Sequence, residues 1–271
     1  MAVAVWTVFF ALSPGAVTPA AALDLFTLWR RPEVPLAIQV GAWTDYRTIR
    51  RAAGRVSDEI VRLQLVGRTG NGSGDWIVEV LPLVEEGDNG PRRPRPGEGV
   101  RLHLDPAVTA RQGDLADLVR DVIQWRDGVP QRLRPAEWRD DPLVSASLAD
   151  ELEVGPAVEQ QETTRVVQGE NLLCRQFLWA AADTQRVRLP HGELRQVTTR
   201  EITAAVHPDV PLLGVVFAAE RSRAESEIDP PSSRFPPPPP EVEVHTLELV
   251  GYGHDARPAL GPASGGAEAP H

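Results

Sequence analysis

One apolar segment, residues 202–217, is the basis for interpreting the rest of the chain. It reads Ile202-Thr203-Ala204-Ala205-Val206-His207-Pro208-Asp209-Val210-Pro211-Leu212-Leu213-Gly214-Val215-Val216-Phe217. Apolar residues stand on both sides of two prolines, and a proline disfavours helix in the residue before it. The segment therefore predicts a strand, an extended corner and a second strand. Because proline cannot donate to the ladder of a central strand, we expect the corner at an edge or rim of a sheet.

A β-hairpin is predicted nearer the amino terminus. Residues 59–66 alternate Val61, Leu63 and Leu65 with polar side chains, which is the period of a half-buried strand. Residues 75–81 are the return strand, and the Gly- and Asn-rich residues 70–74 between them predict an antiparallel hairpin. Further strands are predicted at residues 42–49, 100–104, 163–167, 172–180, 193–207, 212–219 and 242–250.

A helical insertion is predicted at about residues 105–155. An apolar stripe with helical spacing is formed by Leu115, Leu118, Val119, Val122 and Ile123, with Trp125 at its edge. Asp105-Pro106 resembles a helix start, and Gly128 and Pro130 are expected to end the helix. A second short helix is expected near residues 147–152. The predicted fold class is therefore mainly β (α+β), with a curved antiparallel sheet or half-barrel on which this insertion packs.

The first 22 residues predict a signal peptide. They carry no charge, and a short apolar run is followed by small residues ending at Ala22, which is typical of a secretory signal. We therefore expect an exported bacterial protein, periplasmic or extracellular, although an uncleaved anchor is an alternative because no basic residue precedes the apolar run. The remainder is predicted to be a single β-rich domain over residues 23–260, with a Pro-rich loop at 229–240 and a disordered tail at 261–271.

Composition and charge exclude several classes of partner and site. The formal net charge of -10 argues against nucleic-acid binding, which needs a basic face. The loop residues Arg92, Arg93 and Arg95 could contact an anion, but solvation of an exposed loop is favoured. Cys174 is the single cysteine, so an intramolecular disulfide and a cysteine metal cluster are excluded. We expect its thiol to be buried, as free cysteines usually are.

Catalytic motifs are absent from the sequence. It contains no phosphate-binding loop, dinucleotide fingerprint, zinc-binding helix or nucleophile elbow. His207, which is near Asp209, and His245 lie in or beside predicted strands. A metal site or an acid/base pair would be an alternative if the strands brought them together. Packed or surface histidines are favoured, so we expect no catalytic residue, metal ligand or cofactor.

Three short segments resemble exported bacterial proteins of the periplasmic lipoprotein-carrier type. They are Trp43-Thr44-Asp45-Tyr46, Trp76-Ile77-Val78-Glu79 and Val210-Pro211-Leu212-Leu213-Gly214-Val215-Val216, together with the export signal. The resemblance covers about residues 41–253. It implies a strongly curved antiparallel half-barrel whose helices cover an apolar concavity. It also implies a carrier or sensor of an apolar ligand such as an acyl chain.

Two functions follow as hypotheses. The first is an exported, non-enzymatic carrier or binding protein for a lipid-like ligand or a lipoprotein. The residues expected to contact the ligand are Leu63, Trp76, Leu178, Leu212, Leu213 and Phe217. The alternative is a structural or interaction module that binds envelope proteins and has no ligand pocket. A cavity lined by those residues distinguishes the carrier from the module, and a hydrolase ranks third.

Overall fold

The computed structural model describes residues 28–52, 54–72, 74–86, 90–111, 115–134, 155–189, 192–229 and 240–261. These residues form one sheet of 12 strands. The strands are β1 Trp43–Ala52, β2 Arg55–Arg68, β3 Trp76–Glu85, β4 Arg92–Pro94, β5 Gly99–Leu104, β6 Val119–Arg126, β7 Val129–Leu133, β8 Val158–Val167, β9 Glu170–Leu189, β10 Gly192–Val206, β11 Val215–Asp229 and β12 Glu241–Gly253. The predicted β class is confirmed.

The open sheet consists of two wings joined at its middle, one formed by β1 to β7 and the other by β8 to β12. The strand order is β7-β6-β5-β3-β2-β1-β12-β11-β10-β9-β8, with β4 paired to the end of β3. Each pairing is antiparallel, and the wings meet where Trp43 of β1 lies opposite Gly253 of β12. The predicted hairpin is confirmed, since Leu63 of β2 lies opposite Val80 of β3. The first and last strands in sequence therefore lie together in the centre of the sheet.

The predicted helix over Leu115 to Trp125 is wrong. Only Leu115–Leu118 (α1) is α-helical, and the following Val119–Arg126 is strand β6, paired with β5 and β7. Asp127 and Gly128, with φ of 52° and 79°, form the two-residue turn of the β6–β7 hairpin. Such a turn needs positive φ at both positions. Gly128, predicted to end a helix, is therefore in a hairpin turn, and Pro130 lies in β7.

The start of this region has the cap that the sequence predicts. Asp105 accepts a hydrogen bond from the Ala107 amide, with Pro106 as the next residue, as expected at a helix start. It begins a single 3₁₀ turn, Pro106–Ala110, which ends with Arg111 in the left-handed region. The polar cap thus directs only a short turn, and pairing with β5 begins further along the chain, at Val119.

Other predictions lie outside the described residues. They concern the signal peptide at residues 1–22, the second helix near residues 147–152, most of the Pro-rich loop at residues 230–239, and the tail from residue 262. In the part of the chain that the structure describes, no helix is long and apolar enough to cross a bilayer.

One face of the sheet carries most of the buried apolar side chains and is overlaid by three segments. These segments are residues 28–38, the Pro106–Ala110 turn and the corner at residues 207–214, which we call the cover. The cover contributes Leu28, Trp29, Val34, Val108, Val210, Leu212 and Leu213 to the core. The corner was expected at an edge or rim of the sheet. It links β10 and β11, which are interior strands, so it does not lie along an edge strand. Its prolines stand beyond the strand ends, where no ladder bond is lost.

The opposite face of the sheet buries an ion pair beneath the carboxyl-terminal residues 257–261. Glu79 and Arg101 are almost completely buried, and their side chains are 2.6 Å apart. Gln64 donates to Glu79 Oε2 at 2.8 Å, and the Ala259 amide donates to the same oxygen at 2.9 Å. Arg101 also donates to the Leu260 carbonyl. The buried charges are thus hydrogen-bonded, and they hold the last described segment against the sheet.

Candidate ligand site

A partly open cavity of about 60 Å³ lies between the sheet and the cover. Its side chains are all apolar or aromatic. The sheet supplies Leu63, Leu65, Trp76, Val78 and Leu104, and the cover supplies Trp29, Leu36, Ile38, Val108, Leu212 and Leu213. A single water needs only about 10–15 Å³, so the cavity has room for several atoms of an apolar group. Its lining does not offer water the polar partners that it requires.

Strand alternation and register place the sheet side of the cavity. Leu63 and Leu65 are two residues apart on β2, as are Trp76 and Val78 on β3, so each pair points to one face. Leu65 lies opposite Val78 in the β2–β3 register. Leu104 of β5 lies opposite Trp76. Three neighbouring strands thus build one continuous apolar wall.

The cover is attached by side-chain hydrogen bonds and by one isolated β-bridge between Ala37 and Leu212. Trp29 Nε1 donates to the Val108 carbonyl at 3.0 Å. Arg111 donates to the carbonyls of Arg31 and Val34. Ala37 and Leu212 exchange two main-chain hydrogen bonds, at 2.8 and 2.9 Å. These bonds fix residues 28–38 at separate points along the rim of the cavity.

The corner carries unusual backbone geometry where it meets the cavity. Leu212 has a φ of 65° although it is a leucine, and the left-handed region costs a non-glycine residue roughly 1–2 kcal/mol. Gly214 also has a positive φ, of 61°, and a Cβ there would lie 2.7 Å from the Pro35 Cβ. Glycine is required at this position because the corner comes this close to residues 28–38. Such strain often marks functional sites.

Four of the six residues predicted to contact ligand lie together on this cavity, and two do not. Leu63, Trp76, Leu212 and Leu213 line it. Leu178 and Phe217 are half-buried and belong to other parts of the sheet. The Phe217 ring lies 4.3 Å from the Arg165 guanidinium of β8. Both are apolar strand residues, and sequence alternation alone does not show which face of the sheet is covered.

The cover residues Trp29, Leu36 and Ile38 are the part of the cavity that sequence reasoning missed. Residues 23–38 look like an extended lead-in because Pro32 and Pro35 prevent regular structure. The available signal was the density of apolar residues around those prolines. An irregular segment with that composition must bury its side chains against some other part of the molecule.

The two histidines of interest are not brought together. His245 Nε2 lies 2.7 Å from Thr48 Oγ1. His207 Nδ1 lies 3.9 Å from the nearest oxygen of Asp209, which is exposed. His245 also lines a smaller cavity, of about 20 Å³, beside Leu28 and Glu220. Among the described residues, no group of three or more His, Cys, Asp or Glu side chains is arranged to hold a metal ion.

The surroundings of Cys174 and of the loop arginines are those of structural residues: Cys174 is buried, and each arginine has an acidic partner. The Cys174 side chain is buried as predicted, and burial raises the pKa of its thiol, which opposes formation of a reactive thiolate. In the loop, Arg92, Arg93 and Arg95 form ion pairs with Glu85, Glu86 and Glu98 respectively. The charges of these arginines are therefore compensated within the loop.

Comparison with known proteins adds no functional assignment. No family model matches the sequence, and no curated protein matches it. Among solved structures, the chain is similar to a DUF1329 family protein from Desulfovibrio piger. The two are 11% identical, the match covers 87% of this chain and 92% of that one, and the TM-score is 0.30. A TM-score this low does not establish a common fold.

Proposed function

We propose that the protein is an exported, non-enzymatic carrier or binding protein for an apolar, lipid-like ligand or a lipoprotein. The observation that carries this proposal is the partly open cavity between sheet and cover, whose lining is apolar throughout. Ligand sites are typically concave and lined by apolar and aromatic side chains. Two tryptophans, Trp29 and Trp76, supply large apolar surfaces to this one.

The energetics favour an acyl chain as the occupant. Each methylene transferred from water to an apolar site gains about 0.8 kcal/mol. The cavity of about 60 Å³ accommodates only part of such a chain, so binding requires the cover to move away from the sheet. Such an opening breaks the Trp29–Val108 and Ala37–Leu212 hydrogen bonds and exposes Trp29, whose indole ring the bound chain would cover again.

Curvature of the sheet into a half-barrel is part of the same proposal. Tyr252 of β12 donates from its hydroxyl to Glu170 Oε2 of β9 at 3.1 Å. These strands are three positions apart in the sheet order, which corresponds to roughly 14 Å in a flat sheet. Side-chain contact over that separation supports strong curvature in this wing, as a half-barrel requires.

Fluorescence quenching by a brominated fatty acid tests whether the cavity accepts an acyl chain. Bromine quenches tryptophan on contact, so 9,10-dibromostearic acid should quench Trp29 and Trp76 in a saturable manner. Stearic acid is the control for effects unrelated to bromine. In the double variant Trp29→Phe/Trp76→Phe, the saturable component should disappear while the remaining tryptophans still emit. Equal quenching of the wild type and the double variant would place any bound chain elsewhere.

A second candidate function is supported by the edge strand β8. Val158 and Val166 of β8, with Leu173 of the adjoining β9, are exposed large apolar residues. An exposed apolar edge can pair with an extended segment of another chain, which fits an envelope interaction module. Val166→Lys should abolish partner binding by such a module and leave fatty-acid quenching unchanged. Loss of quenching in that variant would argue against two separate surfaces.

A further inference from the structure

The indole nitrogen of Trp76 differs from those of Trp29 and Trp43. Trp29 Nε1 donates to the Val108 carbonyl at 3.0 Å, and Trp43 Nε1 donates to Asp255 Oδ1 at 2.7 Å. Trp76 Nε1 is buried and has no hydrogen-bond acceptor among the described residues. Buried indole donors usually have a partner, since an unpaired buried donor is destabilising. In the described conformation the Trp76 N–H is therefore an unpaired hydrogen-bond donor.

The position of Trp76 indicates where an acceptor would come from. Its ring lines the cavity, and the other lining side chains carry no oxygen acceptor, since they are aliphatic except for Trp29. A side-chain acceptor is thus not available within the cavity. Nε1 is not exposed to the cavity in the described conformation, so an oxygen of the ligand reaches it only if the opening that admits an acyl chain also uncovers Nε1.

The positive charge of Arg68 beside Trp76 favours a hydrogen-bond acceptor whose oxygen carries a large negative charge. Arg68 lies opposite Trp76 in the β2–β3 register, and its guanidinium is 4.2 Å from the centre of the indole ring. A cation over the ring face draws electron density from the indole and makes its N–H a better donor.

We propose that the ligand is an acyl chain with a carboxyl or ester oxygen that accepts a hydrogen bond from Trp76 Nε1. The hydrocarbon part occupies the apolar cavity between sheet and cover. This inference rests on the proposed function and adds the chemical class of the ligand. It predicts that the site distinguishes oxygen-bearing acyl chains from a hydrocarbon of the same length.

Competition against a fluorescent apolar probe measures that distinction. The probe is 1-N-phenylnaphthylamine, and the competitors are decanoic acid, methyl decanoate and decane. Trp76→Phe removes the N–H and keeps an aromatic ring in the wall. We expect this variant to bind decanoic acid, methyl decanoate or both roughly threefold to tenfold more weakly, as for the loss of one hydrogen bond, with decane changed less than twofold.

Trp29→Phe is the matched control, because Trp29 lines the same cavity but its N–H already has a partner. It should weaken all three competitors by a similar factor. If Trp76→Phe weakens binding of decanoic acid alone, the oxygen that accepts the hydrogen bond belongs to a free carboxylate. If binding of methyl decanoate is weakened as well, ester oxygens also accept it. An equal change for all three competitors, or no change, would overturn the inference while the carrier function stands. If neither the probe nor any competitor binds the wild type, the proposed function fails and the inference fails with it.

Discussion

Leu212 combines two properties that rarely occur together, a positive φ and near-complete burial. Its φ is 65° and its relative exposure is 6%. Leu213, the next residue, is equally buried but is not among the residues with positive φ. Leucine is retained at position 212 despite the backbone cost, and its side chain is part of the cavity wall. The two neighbouring leucines form a matched pair for measuring that cost.

Glycine substitution should separate strain from burial at these positions. Leu212→Gly and Leu213→Gly both remove a buried side chain, but only the first relieves a left-handed leucine. We expect Leu213→Gly to destabilise the protein by about 1–2 kcal/mol more than Leu212→Gly. Urea unfolding of both variants measures the difference. Equal free energies of unfolding would show that Leu212 is not strained.

The buried pair Glu79–Arg101 should contribute far more to stability than a surface pair does. Glu79→Gln leaves Arg101 charged and buried, and breaking a buried pair in this way costs about 3–5 kcal/mol. The exposed pair of Arg47 with Asp58 is the control, and Asp58→Asn should cost less than about 1 kcal/mol. Urea unfolding compares the two variants. Similar losses would mean that water reaches Glu79 despite the overlying residues 257–261.

At the scale of elements, the β6–β7 hairpin shows that helical spacing of apolar residues can occur in a segment that forms a strand. Apolar residues between 115 and 125 match helical spacing, yet residues 119–126 are β-branched in three of eight positions and precede Asp127-Gly128. Asp-Gly between apolar segments is a strong hairpin signal. The turn chemistry carried more information than the periodicity. The hairpin at residues 59–81 was predicted correctly because alternation and turn chemistry agreed there.

Alanine substitutions at two glycines test the hairpin turn directly. Gly128 has a φ of 79° and open space around its Cβ position, so Gly128→Ala should cost about 1–2 kcal/mol through the backbone alone. Gly67, in β2, has no positive φ, and its nearest neighbour is 4.0 Å from the Cβ position. Gly67→Ala should therefore stabilise by about 0.4–1 kcal/mol. Thermal unfolding should show shifts of opposite sign, and a neutral Gly128→Ala would contradict the turn.

At the scale of the whole molecule, the cavity joins segments that are far apart in sequence. Leu63 belongs to one wing of the sheet, and Leu212 belongs to the corner of the other. They meet because β1 pairs with β12 and residues 28–38 bridge the corner through Ala37. Strand patterns predict which residues are apolar and extended. They do not specify the pairing of distant strands, which is why they do not show that Leu178 and Phe217 lie apart from the other four residues.

Native mass spectrometry of the purified full-length protein, followed by organic extraction, tests the central claim that this cavity holds a lipid-like ligand. Leu36→Trp should fill the cavity from the cover side, whereas Leu173→Trp adds the same bulk at an exposed position. We predict one acyl-chain ligand per wild-type chain, an unchanged stoichiometry in Leu173→Trp and loss of the ligand in Leu36→Trp. A wild-type mass that stays free of ligand after incubation with fatty acid and phospholipid would contradict the claim.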